Sequence, residues 1–190
     1  MNNIQLAPRP AEAPLTQAAL NPQALIEKAL ETGASIETLE RLTALAKEIR
    51  AEQAREAWYS AMATFQARCP AILKTATAKI ETARAKYSYN YAPLDEIMST
   101  IQPVMGPLGL SVSWHSRVEP SQVIISCRIA HMLGHHEDSG EIAMPIQQGD
   151  VDRGANAAQR VGIAATYGKR YALLGIIGMA PEDDDDAANA

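Results

Sequence analysis

Aromatic residues are scarce in this 190-residue chain, at 5% of the sequence with a single phenylalanine. The hydrophobic share is nevertheless 47%. Alanine supplies much of it, which favours helix. Cysteine is nearly absent. Cys69 and Cys127 stand alone, form no paired motif, and suit a reducing compartment rather than a disulfide scaffold. No apolar run approaches the ~18 residues that mark a transmembrane helix. The first twenty residues, MNNIQLAPRPAEAPLTQAAL, lack the basic and apolar regions of a secretory signal. A cytoplasmic protein without membrane contact is expected. An excess of positive charge is missing too: the net charge is −5.

That deficit is local. Glu182 and Asp183, Asp184, Asp185 and Asp186 carry five carboxylates, so the rest of the chain is neutral. Between Gln66 and Tyr91, Arg68, Lys74, Lys79, Arg84 and Lys86 face Glu81 alone. A basic patch of this kind binds a polyanion even when the overall balance is acidic.

Four regions are expected. Residues 1–20 are Ala- and Pro-rich without periodicity and read as a disordered arm. Residues 21–69 read as N-terminal helices. Asn21-Pro22 starts the first and Gly33 ends it; Ser35 caps the second, which Cys69-Pro70 stops. Its apolar positions run from Ile36 through Leu39, Leu42 and Ile49 to Trp58, Met62 and Phe65. Whether this arm packs on its own domain or on a neighbouring subunit stays open. Residues 70–180 form the core domain, and residues 181–190 an acidic disordered tail.

Within the core domain, residues 72–77 read as a strand. Residues 84–91 alternate, with Lys86, Ser88 and Asn90 on one face and Tyr87, Tyr89 and Tyr91 on the other. Together they predict a β-hairpin with its tip at residues 79–82. Either the tyrosine face is core, or rings interleaved with cations make a platform for single strands. A helix follows Pro93, with Leu94, Ile97, Met98 and Ile101 inward, until Gly106-Pro107 and Gly109 break it. Three strands come next, at residues 110–118, 122–132 and 137–146, then a polar loop over 147–153. The fold class is α+β: hairpin, helix, three-stranded antiparallel meander and a long C-terminal helix packed on the sheet, behind an N-terminal helical arm.

Residues 154–178 organise the rest. At 100° per residue, Val161, Ala164, Ala165, Gly168, Ala172, Gly175 and Ile176 share one side, small enough to lie close on a sheet. The other side carries Gln159, Arg160, Thr166, Tyr167, Lys169, Arg170 and Tyr171. Charged helix faces are usually just solvated. Cations, hydroxyls and rings on one surface are also the chemistry that holds phosphates and stacks bases.

Other constellations are weaker. Gly162, Gly168, Lys169 and Arg170 miss the phosphate-binding loop by one residue, lack its Ser/Thr and lie inside a predicted helix, so no ATP or other cofactor is expected. Cys127, His131, His135 and His136 do not have the spacing of a zinc frame. The aspartate run lacks the rigid support a metal centre needs. No nucleophile–base arrangement points to an enzyme.

Three stretches in series carry a resemblance: Tyr89-Asn90-Tyr91-Ala92-Pro93-Leu94, then PVMGPLGL from Pro103, and Gln159 to Leu173 with its Thr166-Tyr167-Gly168-Lys169-Arg170-Tyr171, closing on the aspartates. Together, over roughly residues 50–186, they resemble the ERF family of phage single-strand annealing proteins. Ile163 and Gly168 depart from the pattern, where a small hydroxyl residue and alanine are common. The resemblance implies homo-oligomeric rings or helical filaments and ATP-independent annealing of single-stranded DNA in phage recombination. A phage exonuclease or host single-strand binding protein would be a further partner. The residues expected to bind DNA are Lys74, Lys79, Arg84, Lys86, Tyr87, Tyr89, Arg160, Thr166, Tyr167, Lys169, Arg170 and Tyr171. A coating protein that does not anneal, and a metal-dependent nuclease using His131, His135 and the aspartates, are the alternatives.

Overall fold

The computed structural model describes residues 22–81, 86–146 and 156–181. The expected arm, the loop over 147–153 and the acidic tail from Glu182 lie outside the described residues. The chain forms two compact units, divided between Glu52 and Gln53.

The first unit contains α1 (Pro22–Glu31) and the beginning of α2 (Ile36–Arg68). Gly33, at φ 70°, closes α1 in the left-handed conformation that glycine tolerates. The Ser35 hydroxyl accepts the Thr38 amide at 3.3 Å, as the sequence predicts for a cap.

The second unit opens with the end of α2, which supplies Trp58, Met62 and Phe65 to the core. It continues with β1 (Ala76–Glu81), β2 (Lys86–Tyr91), α3 (Leu94–Met105), a 3-10 turn, β3 (Leu110–Val118), β4 (Gln122–His131), β5 (His136–Asp138), β6 (Ile142–Pro145) and α4 (Ala157–Ile177). The architecture is the predicted α+β one. β1 and β2 form a separate two-stranded antiparallel sheet. β4 lies between β3 on one side and β5 and β6 on the other.

The core is built by alternation. Val123, Ile125, Cys127 and Ile129 of β4 all point to one face and are buried there with Ile97, Ile101 and Met105 of α3 and Ala164, Ala172, Leu173 and Ile177 of α4. α4 is held at both ends. Asn156 and Gln159 make a reciprocal capping box at its start. Gly178, at φ 65°, caps its end, and the Gln66 amide donates to the Ile177 carbonyl at 2.9 Å. Mid-helix, Gly168 allows a close approach. A Cβ there would collide with the Ile125 side chain and lie 2.9 Å from Met144 Cγ.

Four local expectations are corrected. The first hairpin strand starts at Ala76, not Ile72: only Ala76 and Thr77 of the expected stretch 72–77 pair with β2, and Ile72 is fully buried in the core. Burial of an aliphatic anchor outweighs its β-propensity. Of the expected tip at 79–82, residues 79–81 belong to the ladder, since Lys79 pairs with Ser88 and Glu81 with Lys86, and Thr82 lies outside the described residues. The third meander strand is split. Between the Arg128–Asp138 and Ile125–Ile142 pairs, β4 has two residues and the other chain segment has three. Ser139 absorbs this bulge: its hydroxyl accepts the Cys127 amide at 2.9 Å and its own amide donates to the Cys127 carbonyl at 2.7 Å. Finally, Gly175 is exposed and Leu173 and Ile177 take the inner face of α4.

Candidate nucleic-acid interface

The tyrosine face of β2 and one flank of α4 meet in a cluster of rings around a single cation. Alternation along β2 sends Tyr87, Tyr89 and Tyr91 to the same side. Tyr89 and Tyr91 sit tilted, 6.2 Å apart, and both are half-buried. From α4, Tyr167 and Tyr171 are one helical turn apart and bracket Arg170. The Tyr89 and Tyr167 hydroxyls are hydrogen-bonded at 3.1 Å. The Arg170 guanidinium lies 4.8 Å from the Tyr91 ring, 4.8 Å from Tyr167 and 5.2 Å from Tyr171. It also donates to the Ala92 carbonyl at 3.5 Å.

This corrects the expected position of Arg170. It belongs not to the solvated side of the helix but to the inside, only 7% exposed. Ring faces are negative, and three of them, with the carbonyl, replace the water that a guanidinium would otherwise need. Arg170 therefore ties the hairpin to the helix. Burial, then the Tyr167 hydrogen bond and like-charge repulsion from the ionisable Tyr167 and Tyr171 hydroxyls, push the Tyr89 phenol well above its usual range, with Arg170 pulling the other way.

Lys169 turns the other way, toward the four-stranded sheet. Its ammonium lies 5.8 Å over the Trp114 ring, and its backbone carbonyl accepts the Trp114 indole N–H at 3.2 Å. It is half-buried rather than fully solvated. Tyr87 and Tyr171 are the open rings, 55% and 46% exposed. Thr166 is exposed, with its hydroxyl donating to the Gly162 carbonyl at 2.9 Å. Lys86 is exposed at the start of β2, Lys74 is half-buried ahead of β1, and Arg160 is half-buried near the start of α4. Lys79 sits in β1 opposite Ser88. Arg84 lies outside the described residues.

The structure thus brings Tyr89, Tyr167, Arg170 and Tyr171 together and sets Lys169 against a different neighbour. Sequence reasoning left Tyr91, Ala92 and Trp114 out of the site. The alternation that placed Tyr91 beside Tyr89, and the one that sets Trp114 on the same face of β3 as Leu110 and Val112, were the available signals.

The histidine region is arranged for other purposes. Cys127 is fully buried, and burial, with the Asp138 charge, pushes its thiol up to about 12. The His131 Nδ1 accepts the Leu133 amide at 3.3 Å, and the His135 Nε2 lies 3.1 Å from a Glu137 carboxylate oxygen. Asp138 is taken by both arms of Arg128 at 2.7 Å, and those hydrogen bonds hold its carboxyl below the usual range. Among the described residues no three His, Cys, Asp or Glu side chains gather as metal ligands. No described helix is long and apolar enough to cross a membrane.

No curated protein and no solved structure matches the chain. A family model does: that of the ERF superfamily, over residues 58–190. The match takes in the end of α2, the hairpin with its tyrosines, both sheets and α4, which is well over half of the sequence, and the chain belongs to the ERF superfamily.

Proposed function

We propose that this protein binds single-stranded DNA and anneals complementary strands without ATP, in phage recombination. Membership of the ERF superfamily supports the recombination theme. The observation that carries the finer reading is the ring-and-cation cluster joining β2 to α4, with Tyr87 and Tyr171 left open beside it. A strand laid along this junction stacks bases on the open rings, at roughly 1–3 kcal/mol for each ring that engages. Lys86, Lys169 and Lys74 meet its phosphates. Arg170 acts through the others by holding the hairpin against the helix.

Backbone-directed gripping leaves the Watson–Crick edges free to test a second strand. Annealing then needs proximity and charge neutralisation, with no bond made or broken. The acidic tail either competes for this surface or recruits a partner, and removing residues 182–190 separates the two by raising affinity or abolishing a partner contact.

Fluorescence anisotropy with labelled oligo-dT tests the reading. Tyr171→Ala lowers affinity about tenfold or more. Lys169→Ala lowers it and also reduces the dependence of log affinity on log salt by about 0.7, one phosphate contact on a single strand. Wild-type binding by both variants at low salt would reject this surface. Mixing complementary labelled oligonucleotides distinguishes an annealer from a protein that only coats.

A further inference from the structure

The half-open ring of Tyr171 borders a recess of about 430 Å³ between α4 and the bulge that joins β5 to β6. Small-ligand sites run from roughly 300 to 1,000 Å³, so a single planar heterocycle fits. The helix side supplies Tyr171, Gly175 and Ile176. Gly175 leaves space there, with no atom within 4 Å of where a Cβ would stand. The strand side supplies Ile142 and three polar groups, Asp138, Ser139 and Glu141.

Two of those polar groups are already committed. Both Asp138 oxygens are held by Arg128 at 2.7 Å. The Ser139 hydroxyl accepts the Cys127 amide and donates to the Gly140 carbonyl, each at 2.9 Å. Glu141 is exposed, and among the described residues nothing bonds to or pairs with its carboxylate. The recess therefore offers an incoming group one aromatic ring, apolar walls and two oxygens that only accept.

A ring beside a carboxylate suits either a cation or a base. The cation is disfavoured, because the Arg170 guanidinium already lies 5.2 Å from the Tyr171 ring and like charges repel. A neutral base meets no such repulsion, and stacking alone does not distinguish one base from another. The carboxylate does distinguish them. Two oxygens that only accept need two neighbouring donors. Guanine presents them on its Watson–Crick edge, N1–H beside the N2 amino group. Adenine and cytosine each present one donor group beside an acceptor, and thymine one donor between two acceptors.

We infer that this recess takes one guanine base of a bound strand, stacked on Tyr171 with its Watson–Crick edge on Glu141. The inference rests on the proposed strand binding, since Tyr171 belongs to both surfaces, and it adds base selectivity to that binding. Within each copy's footprint one base is turned inward and the others keep their edges free for pairing. A preferred guanine then fixes where along a strand each copy sits.

Competition anisotropy with the full chain tests it, using oligo-dT of about 12 nucleotides and the same strand with one central dG, dA or dI. Wild-type protein should prefer the dG strand over oligo-dT about tenfold. Deoxyinosine keeps N1–H but lacks the amino group, and dA stacks as a purine without the paired donors. Both should fall to within about threefold of oligo-dT. Glu141→Gln replaces one acceptor with a donor at an exposed position. It should abolish the dG preference, and loss of the negative charge should raise oligo-dT affinity slightly. Gly175→Leu fills the recess from an exposed position of α4 and should also abolish the preference. Equal wild-type affinity for all four strands would overturn the inference and leave strand binding standing. A preference shared equally by dA, or one that survives in either variant, would overturn it too. Failure to bind any of the four would reject the strand-binding reading itself, and the inference with it.

Discussion

α4 meets two sheets by two kinds of chemistry. Against the four-stranded sheet it uses small and aliphatic groups: Ala164, Gly168, Ala172 and Ile177, with Ile125 pressed close to Gly168. Against the hairpin it uses tyrosine rings, hydroxyls and one buried guanidinium. The first contact depends on buried area and shape, is not directional, and tolerates no added volume. The second depends on a few oriented groups. A two-stranded ribbon is marginal by itself, so the hairpin's position rests on that second contact. The four-stranded sheet is therefore the scaffold, and the hairpin is an attached element that can be loosened without unfolding the rest.

The largest effect should come from the scaffold side. Gly168→Val drives two methyl groups toward Ile125 and Met144 and costs about 3 kcal/mol, read from the urea midpoint. Adding Ile125→Ala makes room, so the double variant should lose less than the sum of the single losses. Strict additivity would show that Gly168 matters for some reason other than this approach.

Arg170→Gln tests the other side of the helix. Loss of the cation from three rings weakens hairpin attachment by roughly 2 kcal/mol. Hydrogen exchange should then quicken about 30-fold at the β1 and β2 amides while the β4 amides keep their protection. Equal loss in both sheets would mean that the two contacts are a single cooperative unit. In DNA binding, this variant should lose affinity with the salt dependence unchanged, unlike Lys169→Ala. A reduced salt slope would instead return Arg170 to the phosphate-contacting residues.

The scaffold was legible in the chain and the attachment was not, for physical reasons. Alternation along 110–118, a second strand over 122–132, breaks at Gly106 and Gly109, and a small-residue stripe from Val161 to Ile176 are local signals. Each follows from one element's geometry. Arg170 is different. A helical wheel assigns a cation to water, and only the hairpin segment, 78 residues earlier at Ala92, supplies the Tyr91 ring and the carbonyl that complete its burial beside Tyr167 and Tyr171. The split of the last strand was hidden in the same way. Ser139-Gly140 reads as ordinary polar sequence, yet the Ser139 hydroxyl substitutes for a ladder carbonyl opposite Cys127. The site was half legible: the tyrosines and cations were identifiable from alternation and composition, but which of them remain open depends on packing between distant segments.

The smallest effect should come from a single hydroxyl. Tyr89→Phe removes the bond to Tyr167 and keeps the ring, at a cost of about 1 kcal/mol to hairpin attachment. Its value lies in pH. The Tyr89 phenol is raised above its usual range in the folded chain, chiefly by burial and then by the Tyr167 hydrogen bond. The folded state thus holds the proton more tightly than the unfolded state does. Stability from this group is fully present below pH ~10 and falls as the pH rises beyond it, because only the unfolded chain readily ionises there. Hairpin amide protection in the wild type should drop relative to β4 as the pH rises beyond about 10, the ordinary phenol value, after correction for intrinsic exchange. Tyr89→Phe should flatten that relative drop. If the variant keeps the wild-type pH profile, the titrating group lies elsewhere in the cluster, and the Tyr89–Tyr167 bond is not what joins the hairpin to α4.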